Sequence, residues 1–377
     1  MLPGSYGMNI IMYKSIYNNK KVLITGNTGF KGSWLTVWLL RLGAKVYGIS
    51  KDIPTSPSMF KELKLENEIT YFEKDVRDIK SVMQVVENVK PDFLFHLAAQ
   101  SLVSLSYSNP IETISTNVLG TANVLEALKV SNHHCVGIII TSDKCYDNVE
   151  WVWGYKETDV LGGKDIYSGS KGAAELVFKS YYNSFFNQEK SNIKIATVRA
   201  GNVIGGGDWA QNRIVPDCMR AWSVKDIVEI RSPNATRPWQ HVLEPLSGYL
   251  TLGQKLFEDN HYNGENFNFG PISQYNHTVE KLLNDLSKYW KFENASKAYR
   301  ITGNIKFHEA GLLKLNCDKA LIDLRWLPTL SYQDLIIFTG MWYSKFYQRK
   351  CNMFDFSNEQ INSYEQSASK KNLQWTK

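Results

Sequence analysis

The sequence predicts an α/β fold: a doubly wound parallel sheet with a smaller, interleaved α/β substrate-binding lobe. Three observations lead there. From Lys20 onward, short β-rich apolar runs alternate with segments of helical length. A glycine-rich turn joins the first run to an amphipathic segment, and after about residue 200 the rhythm loosens into Gly- and Pro-rich loops. Strands buried on both faces are apolar on successive residues, and their alternation with helices is the signature of a parallel sheet.

The strands are expected at "KVLITG", "AKVYGIS", "ITYFEKD", "PDFLFHLAA", "CVGIIITS" and "IKIATVRAG". Residues 1–19 read as an N-terminal extension, 20–200 as the dinucleotide-binding domain and 201–350 mainly as the substrate-binding lobe, with some elements returning to the first domain. The segment 351–377 reads as a polar, mobile tail on its composition. The extension is expected to be poorly ordered.

With 377 residues the chain has ample apolar content for a core. Its 43 basic and 37 acidic residues are scattered, not gathered into tracts, which argues for small anionic ligands and against nucleic acid. Five cysteines (135, 145, 218, 317, 351) show no CxxC spacing and read as reduced thiols. No cluster has metal-ligand spacing, so no metal is expected. No run is long enough for a signal peptide or a membrane span, so a cytoplasmic protein is expected.

"LITGNTGFKGSWL" places Gly26, Gly29 and Gly32 between a strand and a helix. Glycines there let the backbone turn tightly and approach a pyrophosphate, which the free N–H groups of the helix start attract. The loop Gly26, Asn27, Thr28, Gly29, Phe30, Lys31, Gly32 is therefore the expected cofactor cradle of a Rossmann-type sheet. The second strand ends on Ser50 and Lys51, with Asp52 late for the usual ribose acid. That leaves NAD and NADP both open, with NAD the expectation.

"IYSGSKGAAELV" carries Tyr167 and Lys171 four apart on a helix, hence on one face. Such a pair is more often an ordinary surface contact. Beside a dinucleotide loop and the strand end "TSDK", it becomes a hydride-transfer site. An ammonium near a phenol favours the phenolate and lowers a pKa of about 10. Tyr167 would take the proton of a substrate hydroxyl, Lys171 would hold the nicotinamide ribose, and Ser142 would hydrogen-bond the same substrate oxygen.

With these motifs, "DVRD" at 75–78, "HLAAQ" at 96–100, Asn117 and YxxxK, the chain resembles the extended short-chain dehydrogenase/reductase family over roughly residues 20–340. The resemblance implies Asp75 and Val76 at the adenine, Leu97, Ala98, Ala99, Gln100 and Thr141 along the cofactor, and Asn117 as support. Within that family, "TSDKCYDN", "WVWGY", "RAGNVIGGGDWA" and "RPWQHVLEPL" look like the 4,6-dehydratase branch that acts on CDP-glucose, an enzyme of deoxysugar synthesis for bacterial-type surface glycans. The implied reaction is oxidation at C4, loss of water across C5 and C6, and hydride return to C6.

Under that resemblance Asp143 protonates the departing C6 hydroxyl, provided that burial keeps it protonated. Lys144 occupies the position where the related dTDP-glucose enzymes carry a glutamate. It removes the C5 proton if its pKa falls from about 10.4 towards neutrality; otherwise it stays cationic and stabilises the enolate while another group or water takes the proton. Asn202, Arg213 and Arg237 are assigned to the sugar and diphosphate, since arginine offers paired donors to phosphate. His241 and His308 are placed near the substrate, although a lone histidine is more often structural. A homodimer or homotetramer is implied.

Two competing readings remain. A nucleotide-sugar epimerase would share the loop and the Tyr/Lys pair without needing Asp143 as an acid. A non-catalytic dinucleotide-binding scaffold would not need intact Tyr167, Lys171 and Asp143.

Overall fold

A computed structural model describes residues 12–188, 191–230, 232–272, 276–290, 292, 298–302, 312–349 and 351–377. Seven parallel strands form its main sheet: β1 (Lys21–Thr25), β2 (Lys45–Ser50), β3 (Thr70–Glu73), β4 (Phe93–His96), β5 (Cys135–Ile140), β6 (Ile193–Arg199) and β7 (Asn266–Asn268). Their order is β7-β6-β5-β4-β1-β2-β3. The six predicted strands are present, and β7 comes back from the lobe to pair with β6 from Asn266↔Thr197 to Asn268↔Arg199.

Strand alternation explains the two cores. Val22 and Ile24 of β1 share one buried cluster with Phe93 and Phe95 of β4. Leu23 and Leu94, one residue out of phase, belong to the other. Successive side chains point to opposite faces, so a run that is apolar at every position needs helices on both sides. The order of strand addition reverses between the parallel neighbours β1 and β4, and the loops leaving their carboxyl ends open the crevice where such sheets bind ligands.

The lobe is built from two-stranded pairs and helices. Val203–Ile204 pairs with Gln240–His241, Thr236–Arg237 with His277–Thr278, and Val228–Ile230 with Tyr299–Ile301.

Residues 12–19 and the C-terminal tail differ from the composition-based expectation, while residues 1–11 of the expected extension lie outside the described residues. Tyr13 and Tyr17 are fully buried, and the polar tail forms an 18-residue helix, Met353–Lys370. Within it Ser357, Ile361, Tyr364 and Ala368 recur at helical spacing and are buried, a stripe that average polarity conceals. Trp375 stacks on Tyr13 at 5.2 Å, and Trp38 donates to Glu365 at 2.9 Å. Tyr13 and the C-terminal helix are thereby fastened to the helix that follows the glycine loop.

Candidate active site

Gly26 has φ +76°, and a Cβ there would come within 2.7 Å of the Ala98 nitrogen, so the loops after β1 and β4 touch through backbone alone. A side chain at Gly32 would overlap the Gly26 carbonyl. The helix Phe30–Arg41 begins at Gly29 with no side-chain cap, which leaves its first N–H groups to a ligand. Asn27 is fully buried, and its Nδ2 has no partner among the described residues. Its Oδ1 accepts from Ser50 at 2.8 Å, while the Thr28 hydroxyl donates to the Asp52 carbonyl at 2.7 Å.

Below this loop runs a chain of hydrogen bonds through a buried histidine. The Thr121 hydroxyl donates to the Asn117 carbonyl at 2.7 Å, so it accepts from His96 Nε2 at 3.1 Å. The other ring nitrogen, Nδ1, then accepts from the Thr25 hydroxyl at 2.7 Å, whose oxygen takes the Ala98 N–H at 3.2 Å. Asn117 clamps the neighbouring loop, accepting the Gln100 N–H at 2.8 Å and donating to the Gln100 carbonyl at 3.0 Å and Ser170 at 2.8 Å. Its polar atoms are thus occupied by protein, which fits support more than contact. The Gln100 side chain is likewise engaged, by Leu102 and Thr113.

At the end of β5, Ser142 caps the short turn Asp143–Cys145 by accepting the Lys144 N–H. Its hydroxyl lies 2.9 Å from Asp143 Oδ1 and also contacts the Tyr167 hydroxyl. Ser142, Asp143, Tyr167 and Lys171 are all buried, so sequence distance has been folded into one cluster. Burial pushes the Tyr167 phenol up to about 12, against the Ser142 hydrogen bond and the Arg213 charge, which pull it down. The charges acting on Tyr167 are those of Asp143, Arg213 and Asp165, and the expected depression by Lys171 is not among them. Lys171 itself is brought down to about 8 by burial, opposed by Cys145 and Glu175.

Lys171 makes no hydrogen bond to a described residue. That buried ammonium, the unpartnered Asn27 amide and the glycine cradle together fit a dinucleotide. Lys31 points into the same space: burial and Arg213 lower it to about 8, Asp143 and Asp208 raise it, and Lys171 lowers it further. Lys144 is half-buried, with no side-chain hydrogen bond or ion pair to a described residue. Thr141, expected along the cofactor, turns its hydroxyl away to Glu175 and the Val198 carbonyl.

Glu175 and Arg199 were not singled out from sequence, and they support this cluster from beneath. The carboxylate accepts from Thr141, from Thr197 at 2.9 Å and from Arg199 at 2.8 and 3.0 Å. Arg199 also donates to the Tyr146 hydroxyl at 2.7 Å. The residues on both sides of the 142–145 turn therefore hang from one ion pair. The available signal was an acid one helical turn after Lys171, on the face that holds Tyr167.

Gly201 was also missed. A Cβ there would overlap the Asp143 carboxylate, so only glycine leaves that acid its place. A small cleft beside Asp143 is lined by Gly201, Asn202, Gln240 and Lys314. This brings Asn202 to the acid. Arg213 pairs with Asp208 at 3.0 Å, donates to Ser101 at 3.0 Å and acts electrostatically on Tyr167. Arg237 lies one residue from Pro238 of the cleft wall and donates to the Thr236 carbonyl.

The His241 ring packs between Trp34 and Phe338, against Gly205, burial lowers its pKa to about 3, and its Nε2 has no partner among the described residues. His308 lies outside the described residues. At the far end of the crevice, Asp75 binds Arg77 at 2.6 Å and Val76 is buried against Gly120.

Among the described residues, no helix is long and apolar enough to cross a membrane. A family model described as GDP-mannose 4,6 dehydratase matches residues 23–338. A CDP-glucose 4,6-dehydratase of Salmonella typhimurium is 44% identical over 354 residues, covering 93% of this chain and 98% of that protein. Among solved structures, epimerase Mth375 of Methanothermobacter thermautotrophicus superposes with a TM-score of 0.77 at 21% identity, over 91% of this chain and 98% of its own. DesIV, a dTDP-glucose 4,6-dehydratase of Streptomyces venezuelae with NAD and TYD bound, gives 0.72 at 19% identity, over 86% and 97%. These two structures attest the fold.

Proposed function

The chain belongs to the GDP-mannose 4,6 dehydratase family of nucleotide-sugar enzymes, and on that premise we propose that it is an NAD-dependent CDP-glucose 4,6-dehydratase, a hydro-lyase that yields CDP-4-dehydro-6-deoxy-D-glucose and water. The observation that carries this reading is the buried Asp143 carboxyl beside Ser142 and Tyr167. An epimerase expels no C6 hydroxyl and needs no acid for that step.

Held in the cradle, NAD would supply reversible hydride acceptance, between C4 and C6 of the sugar. The loop Gly26–Gly32, Lys31 and Lys171 would hold it, with Asp75 and Val76 towards the adenine. Tyr167 accepts the proton of the C4 hydroxyl as its phenolate, the form that the Ser142 hydrogen bond and the Arg213 charge favour against burial, with Ser142 on the same oxygen. The resulting C4 ketone acidifies the C5 proton. Lys144 would take that proton or stabilise the enolate, while Asp143 donates one to the C6 oxygen as its carbon bond breaks and water leaves. Asn202, Arg213 and Arg237 face the sugar and diphosphate.

We further read the protein as cytoplasmic, on the basis of five free cysteines, and as a homodimer. Leu176 on the Tyr167 helix and Ile111, Ile114, Leu119 and Phe185 on neighbouring helical segments are exposed, apolar surface that a second copy would cover.

Incubation with CDP-glucose, and separately with the dTDP, UDP and GDP sugars, tests the reading through product mass. Loss of water from CDP-glucose is expected. A product of unchanged mass would mean epimerisation, and no turnover of any sugar would end the enzyme reading.

A further inference from the structure

The end of β2 is where a sheet of this kind presents a side chain to the adenosine ribose of a dinucleotide, and a carboxylate there selects the free 2′-hydroxyl. Here the position holds Ser50, whose hydroxyl is committed to the loop, donating to Asn27 Oδ1 and accepting the Thr28 N–H at 3.3 Å. The residue that follows is a cation. Lys51 Nζ lies 3.1 Å from Glu112 Oε1 and 4.0 Å from Asp52 Oδ2. The same Glu112 oxygen is 3.9 Å from the guanidinium of Arg77, whose other side is held by Asp75. Two cations thus face three carboxylates, and Glu112 alone touches both cations.

A phosphate monoester carries about −1.5 to −2 charges at neutral pH, so a 2′-phosphate needs cations that are not already neutralised. A ribose diol has no such need. We infer that Glu112 is the residue that sets this chain against a 2′-phosphorylated dinucleotide, by neutralising Lys51 and Arg77 at the ribose end of the crevice. The inference rests on the dinucleotide reading above and extends it to cofactor choice.

Exposure fits this role. The side chains of Lys51, Glu112 and Arg77 are 49%, 37% and 32% exposed, and ion pairs at such surfaces contribute little to stability. Glu112 is therefore dispensable for folding, while its charge still acts on an anion within a Debye length. It belongs to the short helix Pro110–Ile114, remote in sequence from β2, so no motif around β2 could have disclosed it.

The test titrates the purified protein and its Glu112→Gln variant with NADH and with NADPH, following reduced-nicotinamide fluorescence at low and high salt. The unaltered protein is expected to favour NADH. Glu112→Gln should bind NADPH about tenfold more tightly than the unaltered protein does, with NADH affinity held within about twofold. The gain should shrink at high salt and vanish in Lys51→Gln/Glu112→Gln. Unchanged NADPH affinity in Glu112→Gln, with NADH still bound normally, would overturn the inference alone, as would a gain that survives loss of Lys51. Failure of the unaltered protein to bind either nucleotide would overturn the dinucleotide reading and the inference with it.

Discussion

Glu175 and Arg199 meet at 2.8 Å with side chains only 2% and 1% exposed, directly behind the turn that carries Asp143. Burial disfavours the Glu175 carboxylate, yet the Arg199 charge and its hydrogen bonds hold it below the usual carboxylate range. Removing one member of a buried pair leaves the other uncompensated, at a cost of about 3–5 kcal/mol, whereas replacing both is often close to neutral. Arg199→Met should therefore destabilise more than Glu175→Leu/Arg199→Met, as read from urea unfolding midpoints. Equal losses in the two variants would show that the pair is not energetically coupled.

Tyr167 is the proposed proton acceptor in the oxidation step. Tyr167→Phe should lower kcat/KM by about 10² to 10⁴-fold while NADH affinity, measured by fluorescence, stays near that of the unaltered protein. Weakened nucleotide binding in step with activity would move the residue from proton transfer to cofactor holding.

Gly201→Ala probes the acid without touching it. The added methyl overlaps the Asp143 carboxylate, so the carboxyl must move from its place beside Ser142. Elimination should slow more than oxidation, and reduced-nicotinamide absorbance should build up after mixing with substrate. Full dehydration at the normal rate would show that Asp143 has no fixed position to lose.

Lys144→Ala should allow oxidation at C4 and stall at removal of the C5 proton, again with reduced-nicotinamide absorbance accumulating. Normal turnover would leave Lys144 without an essential role.

His96 ties acid sensitivity to the site. Burial, aided by the Lys171 charge, lowers its pKa to about 3, whereas an unfolded histidine titrates near 6.5. The unfolded chain thus takes up a proton that the folded one refuses. Stability is fully present above about pH 6.5 and declines towards pH 3, by at most about 1.4 kcal/mol per pH unit for one such group. His241, with its pKa also lowered to about 3, adds to the same window. Tm of the unaltered protein should fall between pH 7 and pH 4.5, and His96→Gln should show a shallower decline. An identical slope in the variant would exclude His96 as a source.

Sequence alone determined what depends on neighbours along the chain. The alternation of apolar runs specified the sheet, because a strand buried on both faces has no polar side to show. The glycine turn and the four-residue spacing of Tyr167 and Lys171 specified a cradle and a shared helix face, since turn and helix geometry are local. Composition misled at the tail, where a few apolar residues at helical spacing sufficed to dock Met353–Lys370. Only the tertiary structure decided that Glu175 meets Arg199, that Gly201 makes room for Asp143 and that Glu112 reaches Lys51. Each of these joins residues on different strands or helices, and charge compensation and close packing are set by how those elements are brought together, which no short stretch of sequence encodes.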